Sequence, residues 1–171
     1  NDTVASHENT FLRRVRVKNL RSSGANFRVF LHHDLRIYEN AFGDTAYYDP
    51  ETRALIHYKK HRYFLINTEP HFQAFATGRK AFQGQEGTWR DAEDGNLQGG
   101  VITEGSVDST IGMHFSIDAG ESYEFFYWIA VGTSHGDVAN LNALVTQRTP
   151  QVYLDYTANY WRVWVNKNDK D

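Results

Sequence analysis

A mainly β fold, an antiparallel β-sandwich followed by two C-terminal helices, is what this sequence predicts. Three observations carry that expectation. Apolar and polar residues alternate in short runs through the first two-thirds of the chain, and turn residues punctuate those runs. After Gly132 the apolar spacing lengthens to the three and four of a helix. Strands first and helices afterwards segregate into a sandwich, 1–133, and a helical segment, 134–171.

Taken in order, Phe11 to Leu20 sets Val15 and Val17 on one face and Arg14, Arg16 and Lys18 on the other, a half-buried strand. Residues 21–26 read as a turn, and Phe27, Val29 and Leu31 resume the alternation. Tyr47 to Thr52 breaks two β-like runs, with Pro50 suited to the second position of a type I turn. Ala54 to Tyr58 and Tyr63 to Asn67 form successive strands joined through Lys59, Lys60 and His61. Gly84 to Gly100 holds five glycines and four acidic residues and reads as a loop. Ile111, Met113, Phe115 and Ile117 alternate with polar neighbours, as do Tyr123, Phe125, Tyr127, Ile129 and Val131. With Asp118-Ala119-Gly120 between them, these two strands read as a hairpin.

Ser134 with Asp137 three residues on is an N-terminal helix signal, and Val138, Leu141, Leu144 and Val145 follow at helical spacing. Thr149-Pro150 restarts a helix, with Thr149 as N-cap and Pro150 at the first helical position, running to about Val165. In that second helix only Gln151, Asp155, Asn159, Arg162 and Asn166 share a polar arc. The remaining arc is wider than one buried surface needs. One face suits the sandwich. The other, carrying Tyr160, Trp161 and Trp164, meets either the preceding helix or a partner.

Composition narrows function. The 171 residues suit one domain, and a formal net charge of −3 offers no electrostatic draw to nucleic acid or an anionic membrane. Absence of cysteine excludes disulfides and thiolate metal sites and leaves the compartment open; a soluble, cytoplasmic protein is the favoured expectation. No apolar run reaches the roughly 18 residues of a membrane span. Aromatics reach 15%, which suits either pleat-filling side chains or stacking platforms for sugars.

Candidate chemistry is sparse. His57 and His61 have a helical ligand spacing on what reads as a strand and turn, and His32 and His33 face opposite ways, so no metal or other cofactor is expected. Asp91, Glu93, Asp94 and Asn96 imitate a calcium loop with its glycine one position early. The basic residues Arg13, Arg14, Arg16, Lys18 and Arg21 split between two strand faces. No nucleophile or phosphate-binding motif is present, so no catalytic residue is assigned. Exposed aromatics remain as candidate carbohydrate-binding positions: Trp89 in the glycine-rich loop, then Tyr47 and Tyr48. Trp89 alternatively anchors its loop on the sandwich.

Several strings carry more than a generic pattern: His7-Glu8-Asn9 before Phe11-Leu12-Arg13-Arg14-Val15, and Phe30-Leu31-His32-His33-Asp34 before Gly43-Asp44-Thr45-Ala46-Tyr47-Tyr48-Asp49-Pro50. Gly105 to Gly112, Phe126 to Gly132 and Tyr160-Trp161-Arg162-Val163-Trp164 follow. In order and spacing they resemble the N-terminal region of prokaryotic glucoamylase-type enzymes of glycoside hydrolase family 15, from about His7 to Trp164. The resemblance implies a supersandwich-like β-domain, here without its earliest strands, joined by a helical linker to a catalytic (α/α)6-barrel. It implies that both catalytic glutamic acids lie in that barrel, so this chain alone is inactive. It names as partners the barrel of the same polypeptide and an α-glucan. Tyr160, Trp161 and Trp164 then become the domain interface, and the isolated chain is expected to hide that face by self-association.

Overall fold

The computed structural model describes residues 1–40, 42–82, 84–97 and 100–168. Strands β1 (Asp2–Val4), β2 (Thr10–Lys18), β3 (Ala25–His33), β4 (Asp44–Asp49), β5 (Ala54–Lys59) and β6 (Arg62–Glu69) come first. They are followed by β7 (Ala74–Phe82), β8 (Gln85–Glu86), the short helix α1 (Trp89–Asp94), β9 (Ile102–Gly105), β10 (Val107–Ile117) and β11 (Ser122–Gly132). Helices α2 (His135–Arg148) and α3 (Pro150–Val165) complete the chain. Two antiparallel sheets result, with strand orders β1-β2-β11-β6-β5-β4-β9 and β3-β10-β7-β8. The β-sandwich with two C-terminal helices is therefore the fold.

Period two is realised where it was read. Phe11 and Val15 on β2, Val29 and Leu31 on β3, and Phe115 and Ile129 pack on a core of Leu55, Ile66, Phe72, Ile111, Met113, Phe125 and Tyr127 between the sheets. Tyr47 to Thr52 turns as expected: Asp49 accepts from the Glu51 backbone N–H at 3.2 Å and from the Thr52 hydroxyl at 2.7 Å. β5 and β6 form a hairpin through Lys60-His61, with Lys60 at φ 51°.

The expected hairpin of β10 and β11 is not formed. β10 pairs with β3 and β7, whereas β11 pairs with β2 and β6 in the other sheet. The turn after Ile117 is an arch between layers. Alternation fixes which side chains face inward but not which strand lies alongside, and both choices bury the same residues. Phe115 and Tyr123 consequently stack across the interior at 4.2 Å between ring centroids.

A second arch, from β2 to β3, lies at the same end. Asn19, buried between the two, ties them together. Its side-chain amide donates to the Ile117 carbonyl at 2.9 Å, the Asp118 carbonyl at 3.2 Å and the Ser23 carbonyl at 2.9 Å. Its side-chain oxygen accepts from the Arg21 backbone N–H at 3.0 Å. Its backbone pairs with Glu121 and Gly120.

The helices cover the outer face of the seven-stranded sheet. Ser134 caps α2 by accepting from the Asp137 N–H, as the sequence signal indicates. Val138 packs over Ala54, Ile56, Leu65 and Ala130, and Val145 over Leu12 and Trp128 with Tyr153 of α3. Pro150 opens α3 as expected. Thr149, however, does not cap it with its side chain: the residue sits at φ 67°, ψ 139° and serves as the single hinge between the two helices. The stretch read as a loop, Gly84 to Gly100, carries β8 and α1, and β1, β7 and β9 have no counterpart in the sequence reading.

Replacing Asn19 should expose the cost of the double arch. Asn19→Ala leaves three carbonyls without their donor and should cost about 2–3 kcal/mol. Asn19→Asp, which turns a carboxylate oxygen toward those carbonyls, should cost more. Denaturant midpoints of the two variants check the order.

Candidate functional site

Tyr47 and Tyr48, neighbours on β4, face opposite ways. Tyr48 lies between the sheets, stacked on Phe75 at 4.3 Å with Phe72 at its edge. Tyr47 faces the helix layer, beside Tyr58 at 6.0 Å. Trp89 begins α1 and remains 43% exposed, with the Arg90 guanidinium 5.2 Å above its ring. The three candidate sugar-binding aromatics are not brought together on one surface: Trp89 is exposed, and Tyr47 and Tyr48 are partly buried.

The loop bearing Trp89 is held by Asp108 of β10. This buried carboxylate accepts from the Thr88 backbone N–H at 3.1 and 2.9 Å and pairs with His32 Nε2 at 2.9 Å. Thr88 Oγ1 adds a 2.9 Å hydrogen bond with Thr110 Oγ1. Gly87 fits this approach through φ 87°; a Cβ there would lie 2.2 Å from the Asp108 carboxylate. Asp108 is twenty residues from Thr88 in sequence, so local reading gave no sign of the tether.

A second polar group crosses the sandwich. His57 Nε2 of β5 meets Ser109 Oγ of β10 at 2.7 Å, and Ser109 Oγ meets His33 Nδ1 of β3 at 3.3 Å. His33 Nε2 meets the Tyr127 hydroxyl of β11 at 2.9 Å, and the two rings stack. A serine between two imidazoles has the elements of an activated nucleophile. Here Ser109 and His57 are both 0% exposed, so no substrate reaches them. Burial pushes His33 down to about 3 and His57 down to about 4. Both rings are neutral at pH 7, and the group is a polar bridge between layers. His61 lies on the exposed hairpin turn outside this cluster, and among the described residues no three ligand-type side chains converge on one point.

Three arginines of the basic strand are paired. Arg13 forms a two-pronged bond to Asp2 at 2.8 and 2.6 Å, and Arg16 bonds Glu124 of β11. Arg14 lies 3.9 Å from the same Glu124, so these two carboxylates offset the charge of three of the five basic residues.

What remains open is α3. Pro150, Tyr153 and Leu154 are buried, but from Ala158 onward every described helical residue is exposed. Tyr156, Tyr160, Trp161 and Trp164 are each more than half exposed. Tyr160, Trp161 and Trp164 form an edge-to-face ladder with centroid distances of 5.7 and 5.8 Å. Trp161 also borders a groove of about 640 Å³ between α3 and β1, shared with Val4, Phe11, Leu154 and Ala158. Helix α2 does not cover these side chains. The wide apolar arc is thus exposed over the distal half of the helix, and among the described residues no element covers it.

Comparison with known proteins agrees with the architecture. No family model matches the chain. It is 25% identical over 164 residues to an uncharacterized glycosyl hydrolase of Methanocaldococcus jannaschii, covering 94% of this chain and 26% of that protein. Its fold is shared with a bacterial glucoamylase solved with acarbose, at a TM-score of 0.68 and 14% identity, covering 93% of this chain and 24% of that one. The chain spans about a quarter of the length of each.

The polar bridge makes a pH prediction. His33 and His57 bind protons less readily folded than unfolded, so the unfolded state takes up protons first as pH falls below about 6.5. Stability is therefore complete above that value and declines toward about 4 for His57 and about 3 for His33. Each contributes a slope of up to about 1.4 kcal/mol per pH unit. Melting temperature across pH 7 to 4.5 should fall, and His57→Gln should flatten the decline.

Proposed function

We propose that this chain is a non-catalytic N-terminal β-sandwich domain of a glucoamylase-like enzyme of glycoside hydrolase family 15 acting on α-glucans or α-glucosides. In this reading α3 docks the sandwich on the catalytic (α/α)6-barrel of the same polypeptide. The observation that carries it is the aromatic ladder Tyr160, Trp161 and Trp164, exposed on the terminal helix of a domain that matches a quarter of a glycosyl hydrolase. Soluble domains rarely leave such a contiguous aromatic patch uncovered. Interfaces, by contrast, are enriched in tyrosine and tryptophan at their centres. The N-cap, the single-residue hinge at Thr149 and the buried Tyr153 fix the direction in which α3 leaves the sandwich.

The polar inventory is consistent with a supporting role. The buried serine and histidines bridge the two sheets, and the buried Asp108 anchors a loop. Trp89 supports a second reading, a carbohydrate-binding surface, through its exposed indole; it is unaccompanied, since Tyr47 and Tyr48 face elsewhere.

Two measurements test the assignment. The purified chain should release no glucose from maltose or soluble starch, and sustained release free of contaminating enzyme would overturn it. Trp161 and Trp164 should be open to acrylamide in the chain at high dilution and shielded in the polypeptide that includes the catalytic barrel. Trp161→Ala with Trp164→Ala should leave unfolding stability within about 0.5 kcal/mol, as for exposed sites. Light scattering should show the same pair weakening any self-association centred on α3.

A further inference from the structure

We propose that the elbow between α2 and α3 binds a small neutral polyhydroxylated molecule, a sugar ring or an acyclic polyol. Three observations converge there. The first is room. A cavity of about 140 Å³ lies between the turn 5–8, the end of α2 at Arg148 and the first two turns of α3. A cavity of this size takes a six-membered ring. The second is polarity without a partner. The hydroxyl oxygens of Tyr153 and Thr157 are both buried, and neither has a hydrogen-bond partner among the described residues. Tyr153 as a whole is only 7% exposed. Both residues line the cavity, one helical turn apart on α3. Buried hydroxyls are as a rule hydrogen-bonded, so two orphans at one cavity call for an occupant that carries oxygen. The third is strain. Thr149, a β-branched residue, holds φ 67°, ψ 139° at the joint between the two helices. That conformation suits glycine, and such outliers gather at ligand clamps.

The lining specifies the occupant. Its one carboxylate and one guanidinium, Glu8 and Arg148, pair with each other at 2.8 Å, which favours a neutral molecule over an ion. Ala5, Val152 and the Tyr156 ring supply apolar wall for a carbon frame. Two separate hydroxyls require two ligand oxygens, which a molecule bearing several hydroxyls offers. Water alone suits the cavity less well: at about 30 Å³ each, four or five molecules would fill it, and most would face carbon. The polypeptide itself leaves the cavity in both directions. The start of β1 and the turn 5–8 lie at opposite ends of that strand, and α3 runs on past Thr157 to Val165.

Tyr153→Phe and Thr157→Val test the site, because each keeps the side chain's shape and removes only the unpartnered hydroxyl. D-glucose and glycerol serve as probes, in the Trp161→Ala, Trp164→Ala background that limits association through α3. Backbone amide resonances of residues 150–157 should shift saturably with at least one probe. Tighter binding of glucose identifies the ring as the preferred ligand, and tighter binding of glycerol the acyclic polyol. Each hydroxyl deletion should weaken that binding at least about tenfold. Without probe, each should leave the melting temperature unchanged or raise it, since an orphaned buried hydroxyl is removed. Three results would overturn the proposal: no saturable shift with either probe, which leaves the cavity to water; undiminished binding in either variant; or a lower melting temperature in either, which would show that the hydroxyl already serves the fold.

Discussion

The clamp at Asn19 joins the two arches that set β2 and β11 in one sheet and β3 and β10 in the other. Two of the places where the chain passes from one sheet to the other, after Lys18 and after Ile117, meet around this one buried amide. A carboxamide suits the position because it offers donors to carbonyls of both arches and an acceptor to the Arg21 N–H. Once the arches are tied, β2 must lie in one sheet and β3 in the other, and likewise β11 and β10. Two interior strands, β10 of one sheet and β11 of the other, are thus consecutive in sequence yet pair with different neighbours. The interior between them is filled by Phe115, Tyr123, Phe125 and Met113.

The second constraint lies on the opposite surface of the seven-stranded sheet. Leu12, Ile56, Leu65, Trp128 and Ala130 face the helix layer and are all but fully buried. Strands covered on both faces lose the clean apolar–polar alternation of a half-solvated sheet, which explains Tyr-Trp-Ile-Ala-Val in β11. Asn142 makes the helix layer specific rather than merely greasy. Its side-chain oxygen accepts from the Trp128 indole N–H and from the Asn67 amide, both at 3.1 Å. An apolar residue there would leave a buried indole donor unpaired.

The sequence made visible what is encoded locally. Period two located β2, β3, β5, β6, β10 and β11, and the cap at Ser134 and the proline at 150 placed both long helices. Pairing across layers was not visible, because the Ile117 arch and a hairpin present the same alternation. β7 escaped notice since Thr77, Arg79 and Lys80 interrupt its pattern, each with a partner supplied from elsewhere: Thr77 with Gly100, Arg79 with the Glu104 carbonyl, Lys80 with Asp34. α1 is too short to be read from periodicity and owes its position to Asp108. The histidines illustrate the same limit. His32 and His33 do face opposite ways, but only the fold shows that one reaches a buried carboxylate and the other a buried serine and tyrosine.

The distal half of α3 poses the remaining physical problem. A helix segment of this length gains little from its own hydrogen bonds in water and ordinarily relies on a packed face. The buried anchors, Pro150, Tyr153 and Leu154, all lie in its first two turns. Beyond them the support within the chain is local: Asn159 accepts from Arg162 at 2.8 Å, and the Tyr160, Trp161 and Trp164 rings stack edge to face along one side. Such contacts stabilise a helix by tenths of a kcal/mol each, roughly 0.2–0.5 for a pair three or four residues apart. Large aromatic surface in this position would more effectively stabilise the helix by being buried against a second body than by lying in water. The sandwich fixes where the helix starts, and the aromatic ladder beyond it is apolar surface that burial against a second body would stabilise.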